Sequence, residues 1–319
     1  MSLLEFDIIQ QYFSKITSNK NTENISLAIG DDAAIVSIPN GKELVVCTDT
    51  LNENIHFPHN TSAYDIGYKA LAVNLSDLAA MGATPKWFTL NLSLPDVNEQ
   101  WIHAFAKGLA DLAAKYELDL IGGDTTRGAL SISITLAGHI QKNQALTRSA
   151  AKIGDKVYIT GCTGEAAYGL ESILKNLEHD SKEYFLSRLN QPSPRVELGK
   201  ALLGIANACI DVSDGLLADA KHIVQASQCG MALHIEDIPL PKLDNIEKAK
   251  EYALSGGDDY ELIFTVAQKS QKALDELIDT FKDECTITCI GSVIEEEGLS
   301  LLENNQKINL PALGYQHFQ

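Results

Sequence analysis

The sequence predicts an α/β (α+β) protein of two domains, and three observations carry that reading. At 319 residues, the chain is longer than one hydrophobic core usually serves. Strand-like and helix-like patterns alternate along most of it. Two pairs of fragments also echo each other at nearly one spacing. NLSDL (74–78) and DVSDG (211–215) lie 137 positions apart, and the two GGD triplets (122–124 and 256–258) lie 134 apart. Such echoes suggest related halves, each presenting carboxylates at one end of a sheet. The boundary is placed near residue 140, giving an N-terminal domain of 1–140 and a C-terminal domain of 141–319.

Taken in order, Phe6, Ile9, Phe13 and Ile16 recur at helical spacing and predict an amphipathic first helix. In ISLAIGDDAAIV an apolar strand runs into Gly30-Asp31-Asp32 and resumes, and ELVVCTDT is a strand ending in Thr48-Asp49-Thr50. Ala, Leu and Met dominate 70–81 and favour a helix, with Gly82 and Pro85 as its stop. Asn74 and Asp77 are three apart and share one face of it. A carboxylate in so apolar a run is costly to bury unless paired or bound to a metal; the plainer alternative is a surface helix with a short polar face. WFTLNLSLP is a strand, and Trp101, Phe105, Leu109, Leu112 and Tyr116 line one face of the next helix. LDLIGGDTTRG is read as a strand breaking into a glycine turn, and 131–136 alternates as a strand with one polar face. The second half repeats the grammar: strand, glycine turn and helix in KVYITGCTGEAAYGLESIL, and a strand before Asp211. A helix follows, which Ser213 or Asp214 could cap, and a second Gly-Gly-acid triplet stands before the strand ELIFTV. TCIGSVI and a hairpin about Asn304-Asn305 lead to the tail.

The formal net charge of −18 and pI near 4.8 argue against nucleic acid or an anionic membrane as partner. The N-terminus carries Glu5 and Asp7 without a basic leader, and no apolar run approaches a membrane span. Six scattered cysteines (47, 162, 209, 229, 285, 289) include no CxxC pair, as expected of reduced thiols in a cytoplasmic protein.

The acids recur in similar settings: Asp32, Asp49, Asp77, Asp124, Asp211 and Asp214, with Thr48 beside one of them. All are hard oxygen donors with no His or Cys at ligand spacing, a set that suits Mg²⁺ or Mn²⁺. Unscreened, two such charges ~4 Å apart repel by about 4 kcal/mol at an effective dielectric of 20, so a gathered set implies several cations. Magnesium usually bridges to phosphates, which points to phosphoryl transfer with Arg127 and Arg148 as partners for phosphate oxygens. Neither GxxxxGK[ST] nor a full GxGxxG is present.

At this point the chain closely resembles the thiamine-monophosphate kinases, of the aminoimidazole ribonucleotide synthetase-like superfamily. The carriers are GDDAA (30–34), CTDT (47–50), HF (56–57), YKALAVNLSDLAAMGATP (68–85), IGGDTTRG (121–128), ALTRSAAKIGD (145–155), IDVSDGL (210–216), LSGGDDYEL (254–262) and GYQHF (314–318). The resemblance implies a homodimer of two α/β domains, the first contributing the dimer interface and most metal ligands. ATP would lie in the cleft between the domains and pass its γ-phosphate to thiamine monophosphate. It further implies several Mg²⁺ ions held by Asp32, Thr48, Asp49, Asp77, Asp124, Asp211 and Asp214, with Cys47 adding its carbonyl oxygen. Tyr116, Gly123, Asp124, Arg148 and Ser213 fall where the family contacts ATP, and His56, Asp258 and Tyr315 where it contacts substrate. Asp258 departs from the family's usual Glu, and the shorter side chain reaches substrate through water. The acceptor is itself an ionised phosphate, so no protein base is needed; Asp49, Asp77 and Asp124 are essential as metal ligands, and transfer is direct and in-line. A selenophosphate synthetase would show a reactive Cys near the N-terminus, whereas the first 46 residues contain none. An aminoimidazole ribonucleotide synthetase lacks support from the HF loop and aromatic tail, a phosphohydrolase would release phosphate without an acceptor, and a nucleotide sensor would tolerate loss of several of these aspartates.

Overall fold

A computed structural model describes residues 4–18, 23–309 and Gly314. The chain divides into two units: Met1–Leu78 with Ala83–Asn143, and Ala79–Gly82 with Gln144–Gln319.

The first unit holds α1 (Glu5–Ile8), which continues as a π-helical turn Ile9–Phe13, then β1 (Ile25–Leu27), β2 (Ile35–Val36), β3 (Lys42–Asn52), α2 (Ala63–Ala80), β4 (Thr84–Leu94), α3 (Glu99–Lys115), β5 (Asp119–Arg127) and β6 (Ser131–Gln141). β3, β6, β4 and β5 form a four-stranded sheet in that order, and β1 pairs separately with β2. Only the β4–β5 pairing is parallel among the four, because α3 carries the chain back between them. On β6, Ile132, Ile134 and Leu136 are buried and alternate with Ser131, Ser133 and Thr135. The predicted polar face is therefore real.

α2 is not a surface helix. Leu71, Leu75 and Leu78 are fully buried, and so are Asn74 and Ser76. A helix apolar on all sides belongs inside a core. It crosses α3 at a pair of glycines: a Cβ on Gly67 would come within 2.2 Å of the Phe105 carbonyl oxygen, and one on Gly108 within 2.0 Å of that of Tyr64. The helix stops as predicted at Gly82 (φ +71), whose N–H donates to Ala79 O at 3.0 Å while Ala83 N–H donates to Leu78 O at 2.9 Å. This pair of hydrogen bonds is the Schellman cap. Pro85 contributes nothing to the stop, since it already lies in β4.

Two further expectations change. The first helix has one α-turn and one π-turn rather than a continuous amphipathic face; Phe13 and Ile16 are buried while Ile9 is not, and the Phe6 side chain lies outside the description. LDLIGGDTTRG does not break at its glycines, because β5 runs through them with a register shift against β4 at Phe88/Thr89.

The second unit comprises β7 (Lys156–Thr160), α4 (Glu165–Leu174), α5 (Lys182–Asn190), α6 (Val196–Ala201), β8 (Ala206–Val212), α7 (Leu216–Ser227), β9 (Gly230–His234), α8 (Ile246–Ser255), β10 (Glu261–Val266), α9 (Gln271–Phe281), β11 (Ile287–Ile294), β12 (Gly298–Glu303) and β13 (Gln306–Ile308). Its seven-stranded sheet runs β13-β12-β9-β11-β7-β10-β8. Val157, Ile159, Ile210, Val212 and Ile263 from central strands pack with Leu216, Leu217, Ala220 and Ile223 of α7 to build its core. The hairpin at Asn304-Asn305 forms, with both residues at positive φ (50° and 62°) as a two-residue I′ turn requires. The two echoed fragments fall on unlike elements. NLSDL is inside α2 and DVSDG ends β8, while one GGD is within β5 and the other follows α8.

Candidate active site

In the first unit, β3 is an edge strand that alternates regularly against β6. Cys47 Sγ donates to Asn74 O of α2 at 3.3 Å, so Cys47, and Asp49 two residues on, face the buried helix. Thr48 faces the other way, its hydroxyl 2.9 Å from that of Thr135. The Thr48 hydroxyl is therefore on the face opposite the Asp49 side chain, which leaves its main-chain oxygen as the donor it can offer beside Asp49. Asp77 is half-buried on α2, one turn beyond Asn74, whose amide donates to Ala70 O at 3.0 Å.

A pocket of about 800 Å³ opens beside β5, lined among others by Phe13, Asp31, Asp32, Gly123 and Asp124. Asp32 is exposed, and its N–H donates to Asp31 Oδ1 at 2.8 Å. Gly123 holds φ +146°, and a Cβ there would fall 1.8 Å from Leu90 O, so no other residue fits the β4–β5 approach. Tyr116 closes α3 as its C-cap, with Lys115 Nζ 5.2 Å from its ring centre, and is not among the residues lining that pocket. His56 sits in the turn after β3: its Nδ1 accepts from Asn52 N–H at 3.0 Å, so the neutral ring carries its proton on Nε2. Lys69, 2% exposed, donates to His56 O at 3.2 Å and anchors that turn.

In the second unit, Asp211 is buried near the end of β8, and Ser213 and Asp214 follow in the loop leading to α7. Neither caps the helix. The cap position is Gly215, and the acid that serves the loop is Asp219 of α7, whose Oδ2 accepts from Ser213, Asp214 and Gly215 N–H. Burial, with the nearby charges of Asp211 and Asp214, pushes the Asp219 carboxyl up to about 7. Asp258 lies at a left-handed φ of +68°; its N–H donates to Ser213 O at 2.8 Å and its Oδ1 accepts from Tyr260 OH at 2.9 Å. Arg148 is exposed, its carbonyl held by Ser227 Oγ at 2.8 Å. Tyr315 lies outside the described residues. Its neighbour Gly314 packs against the Asp214 carbonyl, where a Cβ would come within 2.2 Å.

Among the described residues, no three His, Cys, Asp or Glu side chains stand together as a ready-made metal cage. Within each unit the aspartates named from the sequence stand in small groups: Asp32 and Asp124 line the same pocket beside β5, and Asp211 and Asp214 flank Asp219. Oxygen donors taken singly or in pairs nevertheless suit Mg²⁺, which keeps several waters and completes its octahedron with one or two carboxylates and substrate phosphates.

Comparison with known proteins decides the family. Residues 30–140 match the AIR synthase related protein N-terminal domain, and residues 152–303 the C-terminal domain. Thiamine-monophosphate kinase of Escherichia coli (strain K12) is 44% identical, the alignment covering 100% of this chain and 99% of that one. The crystal structure of thiamine-monophosphate kinase from Stenotrophomonas maltophilia K279a superposes with a TM-score of 0.86 at 42% identity, covering 94% of this chain and 97% of that one. The chain belongs to the thiamine-monophosphate kinase family. A second structure, AaThiL complexed with AMPPCP and TMP, matches with a TM-score of 0.77 at 30% identity, covering 98% of this chain and 94% of that one.

For a thiamine-monophosphate kinase family member, the sequence reading misses what stands behind the candidate ligands. Asp219 could have been found as an acid in the first helical turn, where carboxylates are favoured. Asp259, 1% exposed, accepts from Gly164 N–H at 2.5 Å and Ala166 N–H at 3.2 Å, fixing the start of α4 beside loop 256–260; burial drives its carboxyl up to about 8. Glu261 is fully buried between Arg188 Nη2 (2.6 Å) and Arg195 Nη2 and Nε (2.6 and 2.7 Å), and accepts from the Thr160 hydroxyl at 2.5 Å. Burial opposes its charge, but the two guanidiniums and the hydroxyl outweigh it and hold the carboxyl below the usual range. No spacing in the sequence marks these pairings, which join residues 66 to 101 positions apart.

Proposed function

We propose that the chain catalyses ATP-dependent phosphorylation of thiamine monophosphate to thiamine diphosphate. The observation that carries this is the full-length 44% identity to a thiamine-monophosphate kinase, joined by the match to AaThiL with its ATP analogue and TMP. In this reading Asp32, Asp49, Asp77 and Asp124 of the first unit, and Asp211 and Asp214 of the second, hold Mg²⁺, with main-chain oxygens of Cys47 and Thr48 beside Asp49. Magnesium bound there would neutralise phosphate oxygens of donor and acceptor. Gly123 lets the β5 backbone approach the nucleotide, Arg148 is exposed and able to pair with phosphate, the Ser213 hydroxyl meets ATP, and Tyr116 borders it. The turn of His56, held by Lys69, positions the imidazole toward substrate; Asp258, tied to Tyr260 OH, and Tyr315 complete that contact.

The acceptor phosphate, ionised at neutral pH, attacks in line without a protein base and without a phosphoenzyme. A coupled assay with ATP and Mg²⁺ should show turnover with thiamine monophosphate and none with free thiamine. Phosphate release from ATP at the same rate without acceptor would make the chain a hydrolase instead. The chain is further proposed to act as a homodimer in the cytoplasm; among the described residues no helix is long and apolar enough to cross a membrane. Sedimentation at the monomer mass of 34.7 kDa would overturn the dimer.

A further inference from the structure

The loop between β8 and α7 closes on a carboxylate of its own chain. Three successive amides, those of Ser213, Asp214 and Gly215, donate to the same oxygen, Asp219 Oδ2, at 3.0, 3.1 and 3.2 Å. Successive N–H groups converging on one point form a nest, a geometry that binds phosphate and other anions. Here the nest stands at the mouth of a twelve-residue helix, whose N-terminal end adds to its attraction for negative charge. It is filled from within, by a side chain only 2% exposed. The loop's far side is tied down as well. Asp258 N–H donates to Ser213 O and Tyr260 N–H to Val212 O, both at 2.8 Å. With its amides turned inward, the loop meets a ligand through side chains, the Asp214 carboxylate and the Ser213 hydroxyl, both half-buried.

We propose that Asp219 is a positioning residue that occupies the anion nest of loop 213–215, so that the loop recognises the triphosphate through cations at Asp214 and not through its own amides. This rests on the kinase reading above. Were the nest open, its amides and the helix end would take a phosphate oxygen directly, and the Asp214 carboxylate beside it would repel that same phosphate. Filling the nest internally removes the competing site and fixes the backbone from which Asp214 projects.

The test uses the full chain with Asp219→Ala and Asp219→Asn. Mn²⁺ binding is followed by electron paramagnetic resonance with and without AMPPCP, and AMPPCP binding is measured by calorimetry in a chelator. Outer residues that orient metal ligands typically contribute 10–100-fold to metal affinity. The Ala variant should therefore bind Mn²⁺ about tenfold or more weakly in the presence of AMPPCP, while its chelator-resistant AMPPCP binding rises above that of the parent. The Asn variant keeps an oxygen acceptor and should hold Mn²⁺ within about threefold of the parent. An Ala variant that melts like the parent and binds Mn²⁺ equally well would overturn the proposal, as would an Asn variant as impaired as Ala. Should Ala fail to fold, Asp219→Glu replaces it: the longer side chain does not fit the nest and should lose Mn²⁺ where Asn retains it, and equal affinities would again overturn the idea. If the parent turns over no thiamine monophosphate, the kinase reading falls while the Mn²⁺ measurements still decide the role of Asp219.

Discussion

At the scale of single residues, Asp77 and Glu261 show two different reasons for burying a carboxylate. Asp77 is half-buried on α2, where every other residue from Lys69 to Ala80 is buried, and its proposed counter-charge is a cation. Asp77→Asn keeps the shape and removes the charge, so turnover should fall by orders of magnitude while the melting curve stays put. Near-normal activity would remove Asp77 from the metal set. Glu261 carries its counter-charges with it, in Arg188 and Arg195, each 13% exposed. Glu261→Ala removes the carboxylate both guanidiniums share, leaving Arg188 with Glu165 at 3.1 Å and Arg195 with the Glu284 carbonyl at 3.4 Å, and breaking such a buried pair typically costs about 3–5 kcal/mol. Urea titration should register that loss, and a change under about 1 kcal/mol would mean that Glu165 and the Glu284 carbonyl suffice for the arginines.

At the scale of elements, β6 carries a titratable group that its strand neighbours leave unsatisfied. His139 is 3% exposed, and among the described residues neither ring nitrogen has a hydrogen-bond partner. Burial first, then the charges of Lys42 and Lys86, hold its pKa below the ordinary value. The folded chain therefore keeps the ring neutral while the unfolded chain takes up a proton as pH falls through ~6.5. Stability should be intact above that value and decline as pH drops from about 7 toward the lowered folded pKa; His139→Gln should flatten this slope in denaturant midpoints measured from pH 7.5 to 5.5. The elements also show what the sequence could and could not tell. β3, α2, α3, β6, β8 and the 304–305 hairpin were legible because each carries its own period or turn chemistry. The continuity of β5 was not, since Gly122 and Gly123 read as a turn, and it is the ladder to β4, from Thr89–Gly122 through Leu94–Arg127, that keeps the strand extended. For the candidate site, the order of the motifs along the chain was informative, but which face of β3 meets α2, and so that Asp49 and not Thr48 is on that side, depends on tertiary packing. Asp219 as keeper of its loop depends on a first-turn side chain reaching back to amides four to six residues earlier.

For the whole molecule, a net charge of −18 must coexist with substrates that are themselves anionic. Divalent cations are the proposed reconciliation, so chelation should abolish transfer, added Mg²⁺ should restore it, and circular dichroism should not change between the two states. Loss of helical signal on chelation would instead make the cation structural. One feature of the core extends this to sites remote from any ligand. α2 and α3 touch backbone to backbone at Gly67 and Gly108, leaving no slack for either rod to slide. Asp77 lies ten residues beyond Gly67 on the same rod, about 15 Å at 1.5 Å per residue, so this crossing acts as a fulcrum for its carboxylate. A single methyl at Gly108, on the neighbouring rod, should tilt α2 and misplace that carboxylate, silencing the protein by leverage from a position that no nucleotide or vitamin need ever touch.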